Sequence, residues 1–340
     1  MQRLRSVVIV MLAGSAACGG SSPDASSRPS SGDDASGAGE ASSPAIDGGG
    51  GGGGGETGGD DAGVVPPDTG VAQDAAAPCY SEPYAPGVPV DDLKSAYTGA
   101  AWLSSSLTAM QRRYRTGYFV LNAEQGDTQL PGFADPSSWS ALMESLMTMV
   151  HEESHGWDFD HAQGTTHPYV LLDSMQITVP PITTWARSEI TQYITDATTQ
   201  QYDQTYLVGT QGTYDAVFLF EELNAYCNGL AAITAVGDQI TQTISARDGV
   251  AAHLYYLELY LRVGRTAHPA DYAAMAADPS WMKLVRYEWA RGHFWDAQAK
   301  ANASLDIASA PIWAHIVEPA NLDEIQKFTG QSPDAVACHP

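Results

Sequence analysis

The apolar positions of this chain change character near residue 78. Beyond that point they recur at helical spacing. Leu93, Ala96, Tyr97, Ala100 and Leu103 share a face and predict a helix over residues 91–113. Asp135-Pro136 reads as a cap followed by proline at the first helical position. It opens a helix through Trp139, Leu142, Met143, Leu146 and Val150 to His155. Residues 183–194 also read as helical. Residues 214–235 predict a long apolar helix, and 248–262 another with Asp248 as its cap. Residues 280–301, rich in Trp and Tyr, predict a third long helix, and 321–329 a closing helix stopped by Gly330. Strands are few: residues 118–122, and two short extended runs between His167 and Val179 that end at Pro180-Pro181. Many helices beside a few short strands define an α+β fold, mostly α.

The first 79 residues contain no Phe, Trp or Tyr. Without large apolar side chains no core forms there, so the folded head is residues 78–340. Residues 19–77 hold about half of the 33 glycines, with acids and a single Arg28, which reads as a disordered linker. Residues 1–18 read as an export signal: Arg3 and Arg5 precede an apolar run over residues 6–17, and small residues lead to Cys18. Ser15-Ala16-Ala17 before Cys18 resembles a bacterial lipobox. That resemblance implies cleavage before Cys18 and a lipid anchor on its sulfur. Gly19 and Gly20 carry no inner-membrane retention acid, which points to the outer membrane or cell surface.

Charge narrows the function further. Forty acids against 16 bases give a net charge of −24, which disfavours a nucleic-acid partner. No apolar run reaches the roughly 18 residues of a spanning helix. Four cysteines are too few for a disulfide scaffold. In an oxidising compartment Cys79 and Cys338 could staple the ends of the head, leaving Cys227 free, with a Cys79–Cys227 bridge as the alternative.

The strongest chemical signal is His151-Glu152-Glu153-Ser154-His155, an H-E-x-x-H pattern. Its accidental occurrence in a chain of this composition is about 0.01. On a helix, residues four apart share a face, so the two imidazoles can converge on one Zn²⁺ while Glu152 reaches a bound water. Here the sequence resembles the zincin metallopeptidases. The resemblance implies a zincin-like head with two metal-bearing helices, peptide or protein substrates, and a zinc-bound water activated by Glu152. A third ligand comes from elsewhere. Glu221-Glu222-Leu223-Asn224-Ala225-Tyr226 resembles the second-helix motif of the glutamate zincins. This selects Glu222, with Ala225 allowing close helix approach and Tyr226 sharing the ligand's face. Glu221 and His161 are the alternatives, the latter at metzincin spacing with Asp158 in the place of that pattern's glycine and Met175 offering its Met-turn. Tyr214 is the candidate oxyanion donor, with Tyr206 and His253 as alternatives. A non-catalytic surface lipoprotein that binds a partner is the competing reading.

Overall fold

The computed structural model describes residues 79–305 and 309–340; the expected leader, Cys18 and the linker to residue 77 lie outside them. In chain order the helices are α1 (Asp91–Ala96), α2 (Trp102–Arg113), α3 (Arg115–Ala123), α4 (Leu130–Phe133), α5 (Trp139–Asp160), α6 (Gln200–Tyr206) and α7 (Gly209–Gly212). They continue with α8 (Ala216–Ala235), α9 (Asp248–Ala267), α10 (Pro269–Ala277), α11 (Pro279–Lys300), α12 (Ala310–Ile316), α13 (Pro319–Thr329) and α14 (Pro333–Cys338). Between α5 and α6, β1 (His167–Leu172) pairs antiparallel with β2 (Met175–Val179), with His167 opposite Val179. The fold is α+β, mostly α.

Several local departures from the sequence reading have physical causes. Residues 118–122, expected as a strand, belong to helix α3. Its buried residues are Thr116, Gly117, Val120 and Leu121, a helical stripe that overrides the strand preference of Tyr, Phe and Val. The expected helix over 91–113 breaks at Tyr97, whose backbone is extended (ψ 132°) and whose hydroxyl donates to the Pro136 carbonyl at 2.9 Å. Helix α5 starts at Trp139 rather than at Pro136, because Ser138 caps it by accepting the Ala141 N–H at 3.1 Å. Asp248 is the first residue of α9 rather than its cap; Arg247 holds the cap position, and its side chain makes no capping bond. Residues 187–193 form a 3-10 helix rather than an α-helix. The two extended runs between His167 and Val179 and the Gly330 stop follow the sequence reading; Gly330 adopts a left-handed φ of 71° at the end of α13.

The centre of the molecule is the pair α5 and α8, which run antiparallel. Gly229 lies against Met147 and His151, Glu221 meets His155, and Phe218 meets Phe159. Helices α9 and α11 pack on α8, and β1 lies beside both central helices. The aromatic run of α11 is core: Trp281, Trp289 and Trp295 are all buried, and the indole N–H groups of the first two donate to the carbonyls of Pro180 and Pro333. Cys79 and Cys338 form a disulfide, and Cys227 is free and buried.

Candidate metal centre

Helix α5 carries His151, Glu152 and His155, and α8 brings Glu221 and Glu222 to them. The close approach depends on one residue. A Cβ at Gly229 would fall 2.7 Å from the Met147 carbonyl oxygen and 3.2 Å from His151 Cβ, so α8 reaches the His151 turn of α5 because no side chain intervenes.

His151 Nε2 and His155 Nε2 are 3.1 Å apart. Glu222 Oε2 lies 3.8 Å from the first and 3.6 Å from the second. Ligand atoms held tetrahedrally at zinc distances of about 2.0–2.1 Å stand about 3.3 Å from one another. The three atoms thus outline one face of a coordination tetrahedron, and the group could hold a metal ion. Glu222 Oε2 is buried and has no hydrogen-bond partner. Such a group is costly in a protein interior, and a cation relieves the cost.

The second acid sets the orientation of the ring. His155 Nδ1–H donates to Glu221 Oε1, which turns Nε2 of the ring toward His151 and Glu222. Burial alone would lower the pKa of His155; the facing carboxylates of Glu221 and Glu222 outweigh it and hold the imidazole well above its ordinary value. Burial, reinforced by the charge of His155, pushes His151 down to about 3. Burial works against the Glu222 anion, but His155 and His151 overcome it and hold that carboxyl down at about 2. Glu152 is half-buried, and burial pushes its carboxyl up to about 7, with His155 opposing and Glu222 and Glu221 adding.

Aromatic residues and one arginine wall the site. Tyr226 packs on His151 with ring centroids 4.5 Å apart, and its hydroxyl shares a 2.8 Å hydrogen bond with that of Tyr206. His253 stacks on Tyr226, donates from Nδ1 to the Gly249 carbonyl at 2.9 Å, and leaves its buried Nε2 without a partner. Arg187 is buried, with two guanidinium nitrogens bonded to Gln211. Its guanidinium lies 5.2 Å over the Tyr206 ring and 5.5 Å over Tyr214.

The structure therefore brings together His151, His155 and Glu222, with Glu152 and Glu221 at their margin. Tyr214 lies just before α8, which begins at Ala216, and its ring stacks on Phe218 at 4.2 Å. His161 is outside the group: it stacks on Trp157 at 4.1 Å, and its Nδ1 bonds the Trp157 carbonyl at 2.8 Å. Asp158 is not at a left-handed turn but inside α5, buried, where it accepts from Val170 N–H and the Asn224 amide. Met175 opens β2. The sequence reading missed Arg187 and the pairing of Glu221 with His155. It also passed over Asn224 and Asn228, although two amides one turn apart in an apolar helix are a readable signal of buried partners. No protein-family model, curated protein or solved structure matches this chain.

Proposed function

We propose that this chain is a zinc-dependent peptidase, exported and tethered to a membrane by a lipid on Cys18. The reading rests chiefly on the buried triangle of His151 Nε2, His155 Nε2 and Glu222 Oε2 with half-buried Glu152 beside it. Two imidazole nitrogens and one carboxylate oxygen suit zinc, and three protein ligands leave a position open, as catalytic rather than structural sites do. Zinc there would supply Lewis acidity toward a scissile peptide carbonyl and toward the attacking water. Glu152 would accept the proton of that water on a carboxylate oxygen and return it to the leaving amine nitrogen. Tyr214 is the donor assigned to the developing oxyanion. The leader and linker would carry this head to the outer membrane or cell surface.

Elemental analysis after chelator-free purification tests the metal: about one equivalent of zinc is expected, and less than about half an equivalent overturns the reading. Glu152→Gln tests the chemistry. The variant should keep its zinc and lose hydrolysis of a mixed-peptide substrate; full activity removes Glu152 from the mechanism. Zinc without turnover of any peptide would leave a surface protein that binds a partner. Cys18→Ser should move the protein from the detergent phase to the aqueous phase, and unchanged partitioning counts against the anchor.

A further inference from the structure

Between α8, α11 and α5 lies a buried polar network that the proposed chemistry does not use. Its centre is Arg291 on α11, a fully buried cation. Arg291 Nε donates to Glu82 Oε1 at 2.8 Å, Nη1 to Asn224 Oδ1 at 2.6 Å and Nη2 to Asn228 Oδ1 at 2.7 Å. The amide nitrogens of the two asparagines then reach across to α5 and β1. Asn224 Nδ2 donates to Asp158 Oδ2 at 3.1 Å, and Asn228 Nδ2 donates to Ser154 Oγ and to the Val170 carbonyl, each at 3.1 Å.

Each amide is thus clamped at both ends. Its oxygen is fixed by Arg291 and its nitrogen by a group that flanks His155 in α5: Ser154 immediately before it, Asp158 three residues after. Asn224 itself sits two residues from Glu222. The two amides bridge α8 to α5 at the turns that carry the candidate ligands.

Arg291 holds this arrangement only if its charge is balanced, because an unpaired buried charge is strongly unfavourable. Two acids are near. Glu288 makes the longer contact, 3.5 Å, and burial pushes its carboxyl up to about 7, so it is a weaker counter-ion at neutral pH. Glu82 is closer, is buried, and also accepts from the Tyr80 hydroxyl at 2.9 Å. It comes from a stretch without helix or strand, residues 79–85. That stretch is pinned at its start by the Cys79–Cys338 disulfide and by the Tyr80 N–H donating to the Cys338 carbonyl at 2.7 Å.

We propose that Glu82 and Arg291 are positioning residues for the metal centre: the stapled strap at residues 79–82 supplies the anion that holds Arg291 against Asn224 and Asn228, and this fixes the spacing of the helices that carry His151, His155 and Glu222. The inference rests on the reading of that trio as a metal site. Neither residue touches metal or substrate; both act through the two amides.

The test separates positioning from mere stability. Metal-free protein is titrated with Co²⁺, whose visible bands report ligand geometry, and zinc affinity is measured against a chelator. Glu82→Gln should weaken zinc binding about 10-fold or more and alter the cobalt bands, the scale expected for loss of outer partners of a metal site. Glu82→Met with Arg291→Met removes both charges together. It should recover thermal stability, as apolar replacement of a buried pair often does, and still bind metal weakly because the amides are no longer held. Wild-type affinity and wild-type cobalt bands in a stably folded double variant overturn the proposal. If the wild-type protein binds neither Co²⁺ nor Zn²⁺, the metal reading falls and takes this inference with it. If the wild type binds and both variants bind equally well, only this inference falls.

Discussion

Glu221 accepts a hydrogen bond from Nδ1 of His155, while its chain neighbour Glu222 presents Oε2 at 3.6 Å from Nε2 of the same ring. One imidazole is therefore gripped from both nitrogens by successive residues of one helix. The division of labour is testable. Glu221→Ala should release the ring and weaken metal binding about 10- to 100-fold, and Glu221→Gln, which keeps an acceptor, should lose less. Glu222→Ala should cost more than either, because it removes a ligand atom. Chelator competition measures all three. A larger loss from Glu221→Ala than from Glu222→Ala would exchange the roles of the two acids.

Gly229 is a point of close approach between the two central helices, and its replacement sets two effects against each other. Alanine in a helix interior gains about 1 kcal/mol over glycine in intrinsic propensity. Against that, the new methyl would sit 2.7 Å from the Met147 carbonyl oxygen, a backbone atom that cannot swing aside. Overpacking of this kind costs about 1–3 kcal/mol, so the clash should win. Gly229→Ala is expected to lower the melting temperature and to weaken metal binding, since His151 Cβ is the next atom met, at 3.2 Å. A variant that melts higher and binds metal normally would show that the helices can separate there without consequence.

The His151–His155 pair was legible in the sequence because its geometry is local: residues 151 and 155 share a helix face whatever the rest of the chain does. The two extended runs between His167 and Val179, and the glycine stop at residue 330, were legible for the same reason. The choice between Glu221 and Glu222 was not legible from periodicity. Helix α8 is packed on nearly every side, so both acids are buried and no apolar stripe marks which one faces α5. Residues 118–122 suggest a strand because Tyr118, Phe119 and Val120 are strand-favouring types in a run too short to reveal its partners; the buried stripe in α3 faces neighbours set by the tertiary fold. The Glu82–Arg291 pair spans 209 positions and leaves no local trace.

Glu288 gives a pH dependence that is independent of the metal ligands. Its carboxyl is pushed from the ordinary 4.5 up to about 7, by burial first, with Arg291 opposing and Glu82 adding. A folded-state pKa above the unfolded value means the group favours the fold fully below about pH 4.5, and this contribution is lost as pH rises to about 7. The total is at most about 3 kcal/mol. Glu288→Gln, which cannot ionise, should escape the loss. Its melting temperature relative to wild type should therefore rise between about pH 4.5 and about pH 7 and then stay level. A difference that is flat across this range would mean that Glu288 is ionised in the native protein throughout.

The Cys79–Cys338 bridge closes a loop of 259 positions. In the chain-entropy account, closing so long a loop removes disorder from the unfolded chain worth about 5 kcal/mol, with native geometry and residual unfolded structure reducing the realised value. For a head of this size that corresponds to a drop of about 10 °C in melting temperature when the bridge is lost. Cys79→Ser with Cys338→Ser should show this drop. A dithiol reductant should lower the wild type by a similar amount and leave the double variant unmoved, because the remaining head cysteine, Cys227, is buried and unpaired. The bridge also anchors the strap that ends in Glu82, so the variant should bind metal more weakly even at temperatures where it is fully folded. Loop entropy alone acts on the unfolded chain and predicts no change in the affinity of the native state. The two measurements therefore separate a staple that only stabilises from one that also holds Arg291 in place: a lower melting temperature with unaltered metal affinity would assign the bridge to stability alone.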